Sequence, residues 1–355
     1  MRFQTCTVLV LLTFLAACAR PAVTGLTSLP PEGVDVQNLF IATQRGAGQL
    51  GPMFGARRNA KLNYGRMGIS IPPGHELGQL ERGKGVVDPA KHFAPVEAEN
   101  YPDVGAFSRA LKREQMQEGD ILVYVHGYNN TLEDAAFRLA QIRQDFDLTD
   151  PAILFAWPSA GDPRGYIYDR DSVLFARNGF EQLIRQLRSH GHRRIFILAH
   201  SMGGYLAMET LRQMALKGDR QLMDAISAVV LMSPDIDPDV FRHQAQTIGK
   251  LPQPFLIMTS RKDRVLSLAE LLTGRKPRLG RIEDQASVAG LDVTVVDMTN
   301  LDDGSAGGHM VAASSGIAIR LLRGMDEQVR RGRSGLLSDF VLLGEEQREG
   351  LLLRQ

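Results

Sequence analysis

The sequence predicts an α/β fold, a mostly parallel, doubly wound sheet with helices on both faces. Short β-branched or apolar runs alternate with stretches of helical spacing, the pattern of strand–helix–strand units. Several of these runs are almost continuously hydrophobic, as strands covered on both faces must be. The composition agrees: 355 residues, 44% hydrophobic and 23% charged, is ordinary for a domain with a sizeable core. Lys+Arg number 41 against 40 Asp+Glu, a net charge of +1. That balance excludes the basic footprint of a nucleic-acid binder. The short basic stretch Arg330–Arg333 reads as a solvated helix edge.

Taken in order, the chain opens on Arg2 followed by the apolar residues Val8–Leu12 and Phe14-Leu15. A charged start and an apolar run too short to span a bilayer read as a signal peptide over residues 1–17. Its end, Leu15-Ala16-Ala17-Cys18, resembles the lipobox of bacterial lipoproteins. That resemblance implies cleavage before Cys18, acylation of the new N-terminus and a stable membrane anchor, since several acyl chains hold where one does not. Ala19 resembles an outer-membrane sorting signal, so the resemblance places the domain in the cell envelope, facing the periplasm. The other cysteine, Cys6, lies inside the signal, leaving the mature chain without a disulfide. Residues 18–36, rich in Pro, Gly, Thr and Ser, then read as the lipidated N-terminus and a flexible tether.

The folded domain is expected over residues 37–325. Strands are expected at Asn38–Thr43, Gly68–Ile71, Ile121–Val125, Ala152–Phe155, Ile195–Ala199, Ala228–Met232, Phe255–Thr259 and Val293–Val296. Helices are expected at Thr131–Phe146, Ser172–His190, Tyr205–Leu216, Asp239–Ile248 and Ala312–Leu322. Pro72–Asn100, weakly patterned and broken by Gly and Pro, reads as a loop over one end of the sheet. The segment between Met232 and Phe255 is short, so no large cap domain is expected. In the tail, 326–355, Leu336, Leu337, Phe340, Val341 and Leu343 form one apolar helical face. It can pack on the domain, meet a partner or lie at the membrane.

The chemistry centres on Ala199-His200-Ser201-Met202-Gly203. A strand enters this turn and a helix leaves it. A nucleophilic serine on so sharp a bend needs small neighbours, and G-x-S-x-G is the usual form; here alanine replaces the first glycine. The helix start offers free N–H groups and a positive dipole end, and the Met202 N–H would face an oxyanion. The alternative is a serine that only caps the helix. A serine nucleophile needs a base. His309 follows the last strand and a run of Asp, Ser and Gly, and precedes the final helix. His200 adjoins the serine and is expected to point elsewhere; the remaining histidines carry no catalytic expectation. Asp263, after the strand Phe255–Thr259, completes the order Ser, Asp, His. Asp235 and Asp237, one strand earlier, remain alternative acids. Their D-x-D spacing lacks the glycine and distal glutamate of a calcium loop, so no metal is expected. The loop after Ile121–Val125, His126-Gly127-Tyr128-Asn129-Asn130, would supply a second oxyanion donor at Tyr128 or Gly127, with His126 shaping the loop. Trp157 and Tyr166, after the next strand, are candidates for the pocket wall, and Trp157 could equally belong to the core.

In order, "LFIATQR", "MGISIP", "VYVHGYNNT", "FAWPSAG", "LAHSMGG", "SPDIDPDVF", "TSRKDRVL" and "GGHM" run across residues 38 to 320. With this set the chain resembles the α/β hydrolases and, more narrowly, the bacterial esterase/lipase-like family DUF900. The resemblance implies the α/β-hydrolase fold and serine-hydrolase activity, with no cofactor. The expectation is a carboxylesterase or lipase-like enzyme that cleaves an ester through an acyl-enzyme. The same residues would serve an acyltransferase or thioesterase, and a catalytically silent envelope scaffold is the remaining alternative.

Overall fold

The computed structural model describes residues 26–27, 30, 32–47, 54–83, 87–115, 119–282, 286–301, 305–316 and 318–319. The expected signal peptide, Cys18 and the C-terminal tail lie outside the described residues, as does most of the tether. Among the described residues the strands form one nine-stranded sheet of order β3-β2-β1-β5-β4-β6-β7-β8-β9. The strands are β1 (Val36–Ala47), β2 (Phe54–Ser70), β3 (Ala94–Tyr101), β4 (Ile121–Val125), β5 (Ala152–Ala156), β6 (Ile195–His200), β7 (Ile226–Met232), β8 (Phe255–Thr259) and β9 (Thr294–Asp297). The first three pair antiparallel, and β1 then joins β5 in a parallel sheet that runs on to β9.

Successive residues of the central strands face opposite sides, so both layers must be apolar. Val123, Val125, Phe155, Ile197 and Ala199 meet α1 (Val104–Glu114), α3 (Tyr166–Ser189), α4 (Met202–Leu216) and α6 (Pro238–Ile248) in one core. Leu122, Tyr124, Leu154 and Leu198 pack in the other with α2 (Leu132–Asp145) and α8 (Val311–Ser314). Each fully buried aliphatic or aromatic side chain contributes about 1.5–3 kcal/mol. This two-sided burial explains why β4 and β8 coincide with the expected runs while the antiparallel strands do not.

The differences lie at the edges. Residues 94–101, expected within a loop, form edge strand β3, whose Glu97, Glu99 and Asn100 give it a polar, charged character. Such charges suit an edge but hide the alternation that sequence reading relies on. β2 begins at Phe54, well before Gly68, and its first half is largely exposed. α1, α5 (Arg220–Met223) and α7 (Arg264–Leu272) were not anticipated, and α3 starts at Tyr166 rather than Ser172. The register sets Val125 beside Ala199, His200 beside Met232 and Thr259 beside Asp297. The carboxyl ends of these strands therefore share one rim. The chain passes from β4 outward to β5, then returns to β6 on β4's other side, a switch point where α/β sheets open a crevice.

Candidate active site

Ser201 stands between β6 and α4 with φ 53° and ψ −121°. A side chain in that region costs on the order of 1–3 kcal/mol and persists only where its surroundings enforce it. Here the Ser201 N–H donates to the Met232 carbonyl at 2.9 Å, and the Ser201 carbonyl accepts from Gly204 N–H at 2.9 Å and Asp235 N–H at 3.1 Å. Gly203 is required: a Cβ there would lie 2.4 Å from the carbonyl oxygens of both Val125 and His126. Ala199, at the position usually held by glycine, is fully buried on β6. The Ser201 side chain makes no capping hydrogen bond. The helix-cap alternative is thereby set aside.

His309 Nδ1 lies 2.7 Å from Asp263 Oδ2, and Asp263 is completely buried. The other carboxylate oxygen of Asp263 accepts from Leu266 N–H at 2.8 Å, capping α7. One side chain thus starts a helix and orients an imidazole. His200 ties this pair to the serine. Its ring lies 4.6 Å from that of His309, edge-on, and its Nε2 donates to the His309 carbonyl at 3.3 Å. Burial, and next the neighbouring His309, hold His200 well below the usual imidazole range, so it stays neutral. Among the described residues no hydrogen bond joins Ser201 Oγ to His309; such contacts are often long before substrate binds.

The alternative acids are engaged elsewhere. Asp235 forms a buried ion pair with Arg278, Nε to Oδ1 3.2 Å, and accepts from the Tyr166 hydroxyl at 2.9 Å. Asp237 caps α6, accepting from Asp239 N–H at 2.9 Å. Tyr166, expected in a loop, is the first residue of α3 and only 6% exposed. Trp157 is also no pocket wall: it is wholly buried, stacked on His126 at 4.8 Å, and donates Nε1–H to the His126 carbonyl at 2.7 Å.

The loop after β4 reaches the serine because Gly127 lacks a side chain. A Cβ there would lie 2.7 Å from His200 Nδ1 and 3.0 Å from Ser201 Cβ. His126 shapes the loop, as expected. Its Nδ1 lies 2.9 Å from the Gly127 carbonyl and its Nε2 3.1 Å from that of Trp157. Burial, and next Arg45, push its pKa down to about 3. The Asn130 side chain donates to the Gly127 and Tyr128 carbonyls at 3.2 and 2.8 Å.

Sequence reading missed the support beneath this loop. Buried Asp169, from α3, accepts from Asn129 N–H at 3.0 Å, Ser159 Oγ at 2.6 Å and Ala160 N–H at 2.7 Å. Buried Arg45, from β1, donates to the Asn130 carbonyl at 2.9 Å. Burial lowers the Arg45 pKa to about 10, against the opposing pull of Asp169. Arg45 falls inside the "LFIATQR" motif; Asp169 has no such signal, being a lone acid in a helix.

A family model described as "Alpha/beta hydrolase of unknown function (DUF900)" matches residues 104–324. The chain belongs to this family. No curated protein sequence matches it. Among solved structures, a CIB-like hydrolase from Thermoplasma acidophilum is similar at 16% identity and TM-score 0.37, covering 82% of this chain and 100% of its own. Lipase B of Aspergillus fumigatus is similar at 13% identity and TM-score 0.41, over 64% of this chain and 58% of that one. An esterase of Pyrobaculum calidifontis is similar at 12% identity and TM-score 0.37, over 84% and 87%.

Proposed function

We propose that this α/β hydrolase is a serine esterase that works through Ser201, His309 and Asp263. The observation that carries the reading is the 2.7 Å contact of buried Asp263 with His309 Nδ1, at the same sheet rim as Ser201, whose side chain makes no capping hydrogen bond. With Nδ1–H donated to the carboxylate, Nε2 keeps its lone pair for a proton.

In the proposed reaction, Ser201 Oγ forms a bond to the ester carbonyl carbon as its proton passes to His309 Nε2. The carbonyl π electrons move onto oxygen, where the Met202 N–H and the amide of Tyr128 or Gly127 hold the charge. One such donor is typically worth about 10²–10³ in rate. Collapse breaks the ester C–O bond, and the departing alcohol takes the proton from His309. Water, deprotonated by the same imidazole, then repeats the sequence on the acyl-enzyme and frees the acid. Asp263 orients the imidazole and stabilises the imidazolium.

A fluorophosphonate probe tests the reading. Wild type is expected to label covalently and Ser201→Ala not at all; equal labelling of both would overturn it. An ester library on the unlabelled wild-type protein then defines the acyl group. Membrane anchoring is a separate proposal, supported by the lipobox-like Leu15–Cys18. A metabolic fatty-acid label is expected to mark the wild-type protein and not Cys18→Ala, and wild type left unmarked would count against the anchor.

A further inference from the structure

We propose that the outer face of α7 docks on an anionic phospholipid bilayer, bringing the membrane surface next to the Asp263–His309 pair. The helix turns Leu266 and Ala269 inward, at 0% and 4% exposure. A surface helix should then be polar on its other side. α7 instead presents Val265, Leu268, Leu271 and Leu272 to solvent, at 38%, 55%, 60% and 57% exposure. At helical spacing these residues form one continuous aliphatic stripe.

Cations sit at both ends of that stripe. Lys262 and Arg264 are exposed where the helix begins, and Arg275 and Lys276 where it has ended. None makes an ion pair among the described residues. Among the described residues the nearby acids Glu270 and Asp297 are already paired, with Arg281 and Arg261. An aliphatic face framed by exposed cations complements a surface with acyl chains below and negative headgroups above. Apolar area supplies depth, and each cation adds attraction to anionic lipid.

The placement gives the surface a purpose. Asp263 caps α7 with one carboxylate oxygen and holds His309 with the other. Gly307, two residues before His309, abuts Arg264 at the helix start; a Cβ there would lie 3.9 Å from Arg264 Cβ. A bilayer seated on α7 therefore lies against the loop that carries the imidazole. The surface stands on α7 alone, whether or not Ser201 is a nucleophile.

The test uses the full chain with Leu268→Trp. Its one native tryptophan, Trp157, is fully buried and reports a constant background. Vesicles of phosphatidylglycerol in phosphatidylcholine are expected to shift the new emission to the blue, and brominated lipids to quench it. Pure phosphatidylcholine should do far less. Replacing Lys262, Arg264, Arg275 or Lys276 by Gln should each weaken partition about fivefold. Leu216→Trp, 62% exposed at the far end of α4, is the control and should not shift. Leu271→Trp repeats the measurement if the first variant folds poorly. Emission unchanged by vesicles would overturn the proposal. So would emission already blue without lipid, which would mean that the chain's own tail or a second copy covers the face. Equal shifts at Leu216 would show indiscriminate adsorption, and equal response to neutral lipid would remove the role of the cations.

Discussion

Two histidine–aspartate pairs in this molecule look alike and cannot do the same work. His309 Nδ1 lies 2.7 Å from Asp263, and His75 Nε2 lies 2.8 Å from Asp145. Both carboxylates are fully buried and both imidazoles nearly so, at 11% and 9% side-chain exposure. The difference is the second nitrogen. His75 Nδ1 faces Glu81 at 2.9 Å, so both of its nitrogens donate to carboxylates. Burial works against the His75 cation, but hydrogen bonds to Asp145 and then Glu81 prevail and raise its pKa. Asp145 also accepts from Gly78 N–H at 2.7 Å and from Gln141, which in turn donates to the Ala313 carbonyl at 2.8 Å. His75 is thus a charged rivet between the segment after β2 and α2. His309 Nε2 has no partner among the described residues. A base needs a free lone pair, and only one of the two pairs leaves one.

The sharpest way to break the comparison is to neutralise each aspartate. Asp263→Asn keeps the α7 cap, since asparagine caps as well as aspartate. It cannot hold His309 in the tautomer with Nε2 bare. Turnover of any ester substrate is expected to fall by about 10³–10⁴-fold with the melting temperature nearly unchanged. If turnover survives, His309 and Asp263 are a second structural pair and the likeness to His75 is complete. Asp235→Asn should behave in the opposite sense. It leaves the buried Arg278 guanidinium without its counter-charge, costing about 3–5 kcal/mol in denaturant unfolding. Fluorophosphonate labelling of the folded fraction should persist.

Much of the site could be read in the sequence, and the part that could not has a common cause. Ser201, His309 and Asp263 each follow a strand whose apolar run is plain, and the fold brings His309 and Asp263 into contact. Asp235 nonetheless remained an alternative to Asp263, because each follows a buried strand within four residues. What separates them is Arg278, which arrives from more than forty residues beyond Asp235 on a turn with no periodic signal. Asp169 was hidden for the same reason: its meaning lies in amides at Asn129 and Ala160 that only tertiary packing brings to it. The helix α7 escaped notice because it has only 9 residues, too few for the spacing of Arg264, Ser267 and Glu270 among its leucines to stand out as a helical period. Where burial alone dictates the residue, as in β4 and β8, sequence and structure agree residue for residue.

Asp145→Asn probes the other pair at smaller cost. It removes one charge-assisted hydrogen bond from His75, worth about 1.5–3 kcal/mol, while Gly78 and Gln141 retain an oxygen to bond. Stability should fall by that amount and labelling by fluorophosphonate should not change. A loss of labelling would mean that the rivet also positions the segment after His309, through Gln141 and Ala313.

The smallest effect is the most specific to the comparison, because it depends on charge rather than on packing. His75 has its folded pKa raised above the ordinary imidazole value of 6.5, so folding favours the protonated form. The stability it adds is fully present below about pH 6.5 and fades as pH climbs through the raised value. His75→Gln keeps a donor in the same place without the titration. The melting-temperature difference between wild type and His75→Gln should therefore be greatest near pH 6 and shrink steadily toward pH 9. A difference that is flat across that range would show that His75 sits there neutral, as a spacer, and that its second carboxylate does not distinguish it from His309.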